Sequence, residues 1–146
     1  MPLKSRELTF YKSNLSKKCA LPFFLEPVRA GFPSFADNYF EQSLDLNEHL
    51  IQHPAATFFV RVEGDSMQGA GIQKQDILIV DRSLLPTNGK IVIAIINGEF
   101  TVKRIRVFQE KIVLEAENPN YTPIQIDPNW DFQVWGVVTY VIHKAV

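Results

Sequence analysis

Ser66 lies in the stretch VEGDSMQGAGI, Val62 to Ile72, with Gly64 two residues before it and Gly69 and Gly71 after it. A serine hydroxyl in a turn is chemically inert until a neighbouring base takes its proton. Histidine is the usual base, but His49 and His53 fall in or just after a short helical pattern and His143 is nearly terminal. None of the three has the setting of a triad. The remaining class of base is a neutral lysine amine, and Lys103 in TVKRIRV is the candidate. Strand alternation puts Thr101, Lys103, Ile105 and Val107 on one face and Val102, Arg104 and Arg106 on the other. The arginines mark their face as wet at that end, so Lys103 lines up with apolar residues. Burial disfavours an ammonium group. An exposed lysine is neutral in only about one molecule in 2,500 at pH 7, and bringing its pKa to about 7 takes roughly 4–5 kcal/mol of differential solvation. A second reading fits the same pattern, with Lys103 as an edge-strand lysine that discourages aggregation. Gly64 suits a turn in which the backbone amides of Asp65 and Ser66 converge on one point, the arrangement of an oxyanion site.

The elements that must hold these groups are mostly strands. TFFVRVE (Thr57–Glu63), DILIVD (Asp76–Asp81), KIVIAII (Lys90–Ile96), EFTVKRIRV (Glu99–Val107), KIVLEA (Lys111–Ala116), TPIQI (Thr122–Ile126) and FQVWGVVTYVI (Phe132–Ile142) are rich in β-branched and aromatic residues. Asn97-Gly98 between two of these runs is a hairpin signal, because both positions tolerate positive φ. SLDLNEHLI (Ser43–Ile51) has the apolar spacing of a short helix, closed by Pro54. Leu21–Asp37 carries Pro22, Pro27 and Pro33 and has no period, so it reads as extended and irregular. The expected fold is a mostly-β body, a sandwich or rolled sheet, over residues 41–146. Residues 1–40 are expected to form an extended, poorly ordered arm.

The chain has 146 residues and 46% apolar content, which fits one globular domain. Its net charge of −1 argues against tight nucleic-acid binding through a basic surface. Residues 1–18 concentrate Lys4, Arg6, Lys12, Lys17 and Lys18 against Glu7. That cluster reads either as a solvated terminus or as an arm that docks on something acidic. Cys19 is the single cysteine, so no internal disulfide forms. The apolar stretch CALPFFLEPV (Cys19–Val28) is interrupted by Pro22, Glu26 and Pro27, too soon for a signal peptide or a membrane span. A cytoplasmic protein without metal or other cofactor is expected, its histidines lying on the surface or in the core.

GDSMQGAGIQKQDILIVD (Gly64–Asp81) resembles the serine-bearing segment of the LexA/UmuD self-cleaving peptidases, and GEFTVKRI (Gly98–Ile105) resembles their lysine strand. The separation of Ser66 from Lys103 agrees with that family's dyad. LPFFLEPVRAGFPSFADNYFEQSLDLNEHLIQHPAATFFV (Leu21–Val60) is similar to the front half of UmuD-type SOS mutagenesis proteins, including the Ala30-Gly31 pair before FPS. The likeness runs from about residue 21 to the C-terminus. It implies a sheet domain of the LexA C-terminal type, Ser66 as nucleophile, Lys103 as general base, the Asp65 and Ser66 amides as oxyanion donors and Ala30–Gly31 as the scissile bond. Some members carry cysteine where Ala30 stands; both residues are small. The resemblance also implies a homodimer, cleavage stimulated by a RecA–single-stranded DNA filament, and a trimmed dimer that serves a UmuC-like Y-family translesion polymerase. Three alternatives stand beside this: a non-catalytic dimeric polymerase-binding module, a signal-peptidase-like enzyme, and a fragment of a LexA-type repressor. The signal-peptidase class needs a membrane anchor. The repressor class needs a helix-turn-helix reader, for which the 30 residues before Gly31, with their three prolines, leave no room.

Overall fold

In a computed structural model, which describes residues 3–4, 8–12, 20–24 and 41–145, the β-branched and aromatic runs all become strands. They are β1 (Leu3–Lys4), β2 (Leu8–Lys12), β3 (Ala20–Phe24), β4 (Glu41–Asp45), β5 (Thr57–Val62), β6 (Ile77–Asp81), β7 (Ile91–Ile96), β8 (Glu99–Phe108), β9 (Lys111–Glu115), β10 (Ile124–Gln125) and β11 (Phe132–Ile142). The chain falls into two compact units, residues 1–13 with 53–146, and residues 14–52.

The larger unit is an antiparallel sheet in the order β1-β2-β5-β6-β11-β7-β8-β9-β10. The mostly-β expectation holds, and the seven expected strands match β5 to β11 within two residues at every end. Two apolar clusters form the core. One gathers Leu8, Phe10, Val60, Val62, Met67, Ile72, Leu78, Val80, Ile93 and Val102; the other gathers Val92, Ala94, Ile105, Leu114 and Val137. Alternate residues of β7 enter different clusters, so both faces of that strand are dry. Each such buried aliphatic side chain contributes roughly 1.5–3 kcal/mol. Strand β11 runs through the middle of the sheet, with register shifts between Val134 and Gly136 and between Val138 and Tyr140. Such irregularities bend a strand and increase its twist. At Gly136 a Cβ would lie 2.6 Å from Val80 Cγ1, so only glycine lets β6 approach.

Within the segment expected to be an arm, Leu8–Lys12 is a strand paired to β5 from Leu8↔Val62 to Lys12↔Phe58. Leu8 and Phe10 are buried, and the Phe10 ring lies 4.7 Å from Phe100 and 4.8 Å from Trp135 between centroids. Two large apolar side chains on one face outweigh the basic residues around them.

The smaller unit holds an antiparallel pair, β3 with β4, followed by α1 (Leu46–Leu50). The expected helix over Ser43–Ile51 is shorter because the Asp45 carboxylate accepts from Asn47 N at 3.0 Å and starts the helix there. Among the described residues, no helix is long and apolar enough to cross a membrane.

Candidate active site

Strand β5 stops at Val62, and the chain crosses Glu63–Asp65 into a turn at Ser66–Met67 and a 3-10 turn over Gln68–Ala70. Gly71 closes it with φ +80°, its amide donating to Gln68 O at 3.0 Å. Two backbone bonds cinch the base of this excursion: Val62 N to Asp76 O at 2.9 Å and Gln75 N to Val62 O at 2.7 Å. Met67 and Ile72 plug into the first core cluster on either side of the turn. Ser66 is therefore held next to a buried anchor and is itself only 3% exposed.

Lys103 sits mid-way along β8, opposite Val92 of β7. It shares its face with buried Ile105, as alternation predicts, and it is 5% exposed. The arginines of the other face reach carboxylates: Arg104 Nε lies 2.6 Å from Glu117 Oε1, and Arg106 Nε 3.0 Å from Glu115 Oε2. The Lys103 amine bends toward the serine turn and reaches three oxygens, Thr101 Oγ1 at 2.7 Å, Val102 O at 3.1 Å and Ser66 Oγ at 3.1 Å. As an ammonium, all three N–H groups donate. As a neutral amine it keeps two donors, which the Val102 carbonyl and the Thr101 hydroxyl can accept, and its lone pair is left for the Ser66 O–H. These three contacts can be kept by either form of the amine.

The peptide linking Asp65 to Ser66 is fixed from outside the turn. Asp65 O accepts from Asn118 Nδ2 at 2.9 Å and from Gln68 N at 3.3 Å. A trans peptide is planar, so fixing that carbonyl fixes the opposite direction of the Ser66 N–H. Tyr121 Oη donates to the Asp65 carboxylate at 2.5 Å, and Gly69 N donates to Glu117 O at 2.6 Å. The segment following β9 thus braces the serine turn at three places. Glu117, Asn118 and Tyr121 escaped the sequence reading, because nothing local in ENPNYTP says which turn it will cover.

Two histidines also found partners that periodicity did not reveal. His53 Nδ1 lies 2.6 Å from Asp81 Oδ2, and His143 Nδ1 lies 2.7 Å from Asp76 Oδ1. Both aspartates are buried, while the histidines are about half exposed. Asp76 also accepts from Gln73 N at 2.8 Å, so His143 helps anchor the far end of the serine excursion. Burial pushes the Asp81 carboxyl up, but hydrogen bonds from the Ser83 hydroxyl, His53 and the Ser83 amide outweigh it and hold Asp81 below the ordinary aspartate range. Among the described residues, no group of three or more His, Cys, Asp or Glu is placed to hold a metal ion. Ala30 and Gly31 lie outside the described residues.

A buried serine–lysine contact beside a braced peptide is an arrangement suited to acyl transfer. Residues 22–139 match the Peptidase S24-like family. The chain is 43% identical over 132 residues to the protein MucA of Salmonella typhimurium, covering 90% of each chain. It is 46% identical over 126 residues to the protein ImpA of Escherichia coli, covering 85% of this chain and 84% of the other. A LexA repressor of Shewanella denitrificans is 36% identical over 127 residues, which are 87% of this chain and 61% of the repressor. On this match and these identities, the chain belongs to the Peptidase S24-like family, the LexA/UmuD family, and is of its UmuD type.

Proposed function

We propose that the protein is a serine peptidase that cuts its own Ala30–Gly31 bond, with Ser66 as nucleophile and Lys103 as general base. The neutral Lys103 amine takes the Ser66 proton as Oγ adds to the Ala30 carbonyl carbon. The Asp65 and Ser66 amides receive the oxyanion. The C–N bond then breaks, the Lys103 ammonium returns its proton to the departing Gly31 amine, and Ala30 is left as an ester on Ser66. Water, deprotonated by Lys103, hydrolyses that ester. The products are a fragment ending at the Ala30 carboxylate and a fragment beginning at Gly31.

The observation that carries this reading is the 3.1 Å contact between Lys103 Nζ and Ser66 Oγ, with both residues at least 95% buried. Small residues at the scissile bond suit a narrow strand-lined groove. The wider role follows the family's UmuD type: a cytoplasmic homodimer, cleavage accelerated by a RecA–single-stranded DNA filament, and a trimmed dimer that serves as accessory subunit of a UmuC-like Y-family translesion polymerase. A filament that favours the docked arm tenfold needs about 1.4 kcal/mol of differential affinity for that state.

Mass spectrometry tests the chemistry. Purified chain held at pH 10 should yield a fragment starting at Gly31, faster with an activated filament present, while Ser66→Ala and Lys103→Ala chains stay whole. If the wild-type chain remains intact under both conditions, only a non-catalytic polymerase-binding module is left. Mixing Ser66→Ala chain with a chain blocked at Gly31 decides between cutting within one chain and between two.

A further inference from the structure

Tyr121 touches both halves of the proposed machinery. Its hydroxyl donates to the Asp65 carboxylate at 2.5 Å, one residue before the nucleophile. Its ring centroid lies 6.0 Å from Lys103 Nζ. The ring is on the segment after β9, the nucleophile on the excursion after β5, and the amine on β8, so one side chain joins three separate pieces of chain. Charged groups on the elements packed here include Asp65, Arg104 and Glu117. Arg104 and Glu117 are paired with each other, and Asp65 is held by Tyr121.

A tyrosine placed this way does two separable things. The hydroxyl bond restrains the Asp65 side chain and with it the two peptides flanking Asp65, whose N–H groups are to meet the oxyanion. The ring presents its negative face to the amine. A π face attracts an ammonium within about 6 Å and does little for a neutral amine. The charge appears on Lys103 only after it has taken the serine proton, so the ring stabilises the state reached during reaction more than the resting one.

We infer that Tyr121 is a positioning residue for self-cleavage, its hydroxyl setting the oxyanion turn and its ring setting the protonation of the base. This rests on the self-cleavage reading above. Two substitutions in the full chain separate the two parts, with the cleavage rate followed from pH 6 to 9.5, below the range in which a free phenol ionises. Tyr121→Phe keeps the ring and loses the bond to Asp65: the rate falls roughly 5-fold at every pH, and the midpoint of its rise with pH stays put. Tyr121→Leu keeps apolar cover and loses the ring as well: the midpoint moves down by about 0.5–1 pH unit, because the ammonium has lost its partner. A midpoint that stays put or moves up in Tyr121→Leu overturns the ring's role. An unchanged rate in Tyr121→Phe overturns the hydroxyl's role. Should Tyr121→Leu fail to fold by circular dichroism, Asp65→Asn takes its place. Asp65→Asn and Tyr121→Phe must then lower the rate by similar factors and, combined, by no more than either alone; additive losses overturn the coupling. A wild-type chain that stays whole at every pH removes the self-cleavage reading itself, whereas cleavage indifferent to Tyr121 removes only this inference.

Discussion

Two buried polar side chains of the same sheet, Lys103 and Asp81, keep different company. Lys103 and Ser66 are 5% and 3% exposed, and the lysine amine also reaches the Thr101 hydroxyl and the Val102 carbonyl. Asp81 is 4% exposed, yet it accepts from the Ser83 amide and hydroxyl and meets the half-exposed His53 ring. The first set of contacts can be kept by a neutral amine; the second favours an ionised carboxylate. Burial alone does not decide ionisation. The number and kind of groups aimed at the charged form decide it.

Replacing the lysine is the largest way to break that contrast. Lys103→Met keeps the volume and stem of the side chain while removing its polar end. Self-cleavage should fall by at least about 10³-fold, since Lys103 is the proposed base and its amine is what touches Ser66 Oγ among the described contacts. Stability should stay level or rise by about 1 kcal/mol, because a buried amine has been exchanged for an apolar group of similar shape. Fragment yield and a denaturant titration measure the two effects together. Loss of activity accompanied by a large loss of stability would show that the amine holds the fold and that no charge is being shed there.

Asp81 should behave in the reverse sense. Asp81→Asn has no role in cleavage, and it should cost about 1–3 kcal/mol by weakening charge-assisted bonds from Ser83 and His53. The pH dependence sharpens this. The folded pKa of Asp81 lies below its ordinary value, so its contribution is fully present above the unfolded pKa of about 3.9. It is lost as pH falls from there through the folded pKa. The gap in stability between wild type and Asp81→Asn should therefore be open at pH 5 and close below about pH 4. A gap that stays open in acid rules out ionisation as its source.

The same two regions show what a reading of residues can reach. Lys103 and Ser66 were accessible because strand alternation and a glycine-flanked turn are local features. The hairpin at Asn97-Gly98 was accessible for the same reason, and φ is +49° and +84° at its two positions. The next hairpin was not: Gln109 and Glu110 adopt φ +44° and +70°, and neither residue type advertises that conformation. Strand β2 was missed because its partner β5 lies about fifty residues on, and flanking lysines mask two apolar positions. Asn118 and Tyr121 act on Asp65 across 53 and 56 residues, and the two histidine–aspartate pairs close over 28 and 67 residues, gaps that no period marks. The burial of a lysine on one strand face was visible. Bracing carried by a loop that folds back was not.

Gly69 tests whether that bracing matters. A Cβ at this position would lie 2.6 Å from the Glu117 carbonyl oxygen, a backbone atom that cannot swing aside. Gly69→Ala must push the serine turn and the segment after β9 apart. The expected cost is about 1–2 kcal/mol of stability, with cleavage slowed roughly tenfold, since a displacement of a few tenths of an ångström already disturbs catalytic geometry. Gly98→Ala is the control for stability, because its Cβ meets nothing within 4 Å and only its φ of +84° is strained. Equal cleavage in the two variants, after matching for stability, would mean that the loop contact supports the fold and not the turn.

The smallest effect belongs to the wet face of β8. Arg106 and Glu115 form an ion pair at 3.0 Å with both side chains more than a third exposed. Water and salt screen such a pair, so Glu115→Gln should change stability by less than about 0.5 kcal/mol and leave cleavage alone. Three residues from Arg106 on the same strand, one changed side chain at Lys103 is expected to slow the reaction at least about 10³-fold. A double-mutant cycle on Arg106 and Glu115, run at low and at 1 M salt, checks the exposed end. A coupling above about 1 kcal/mol that survives high salt would mean that this face is drier than its exposure indicates, and that the contrast between the two faces of β8 is weaker than their exposures imply.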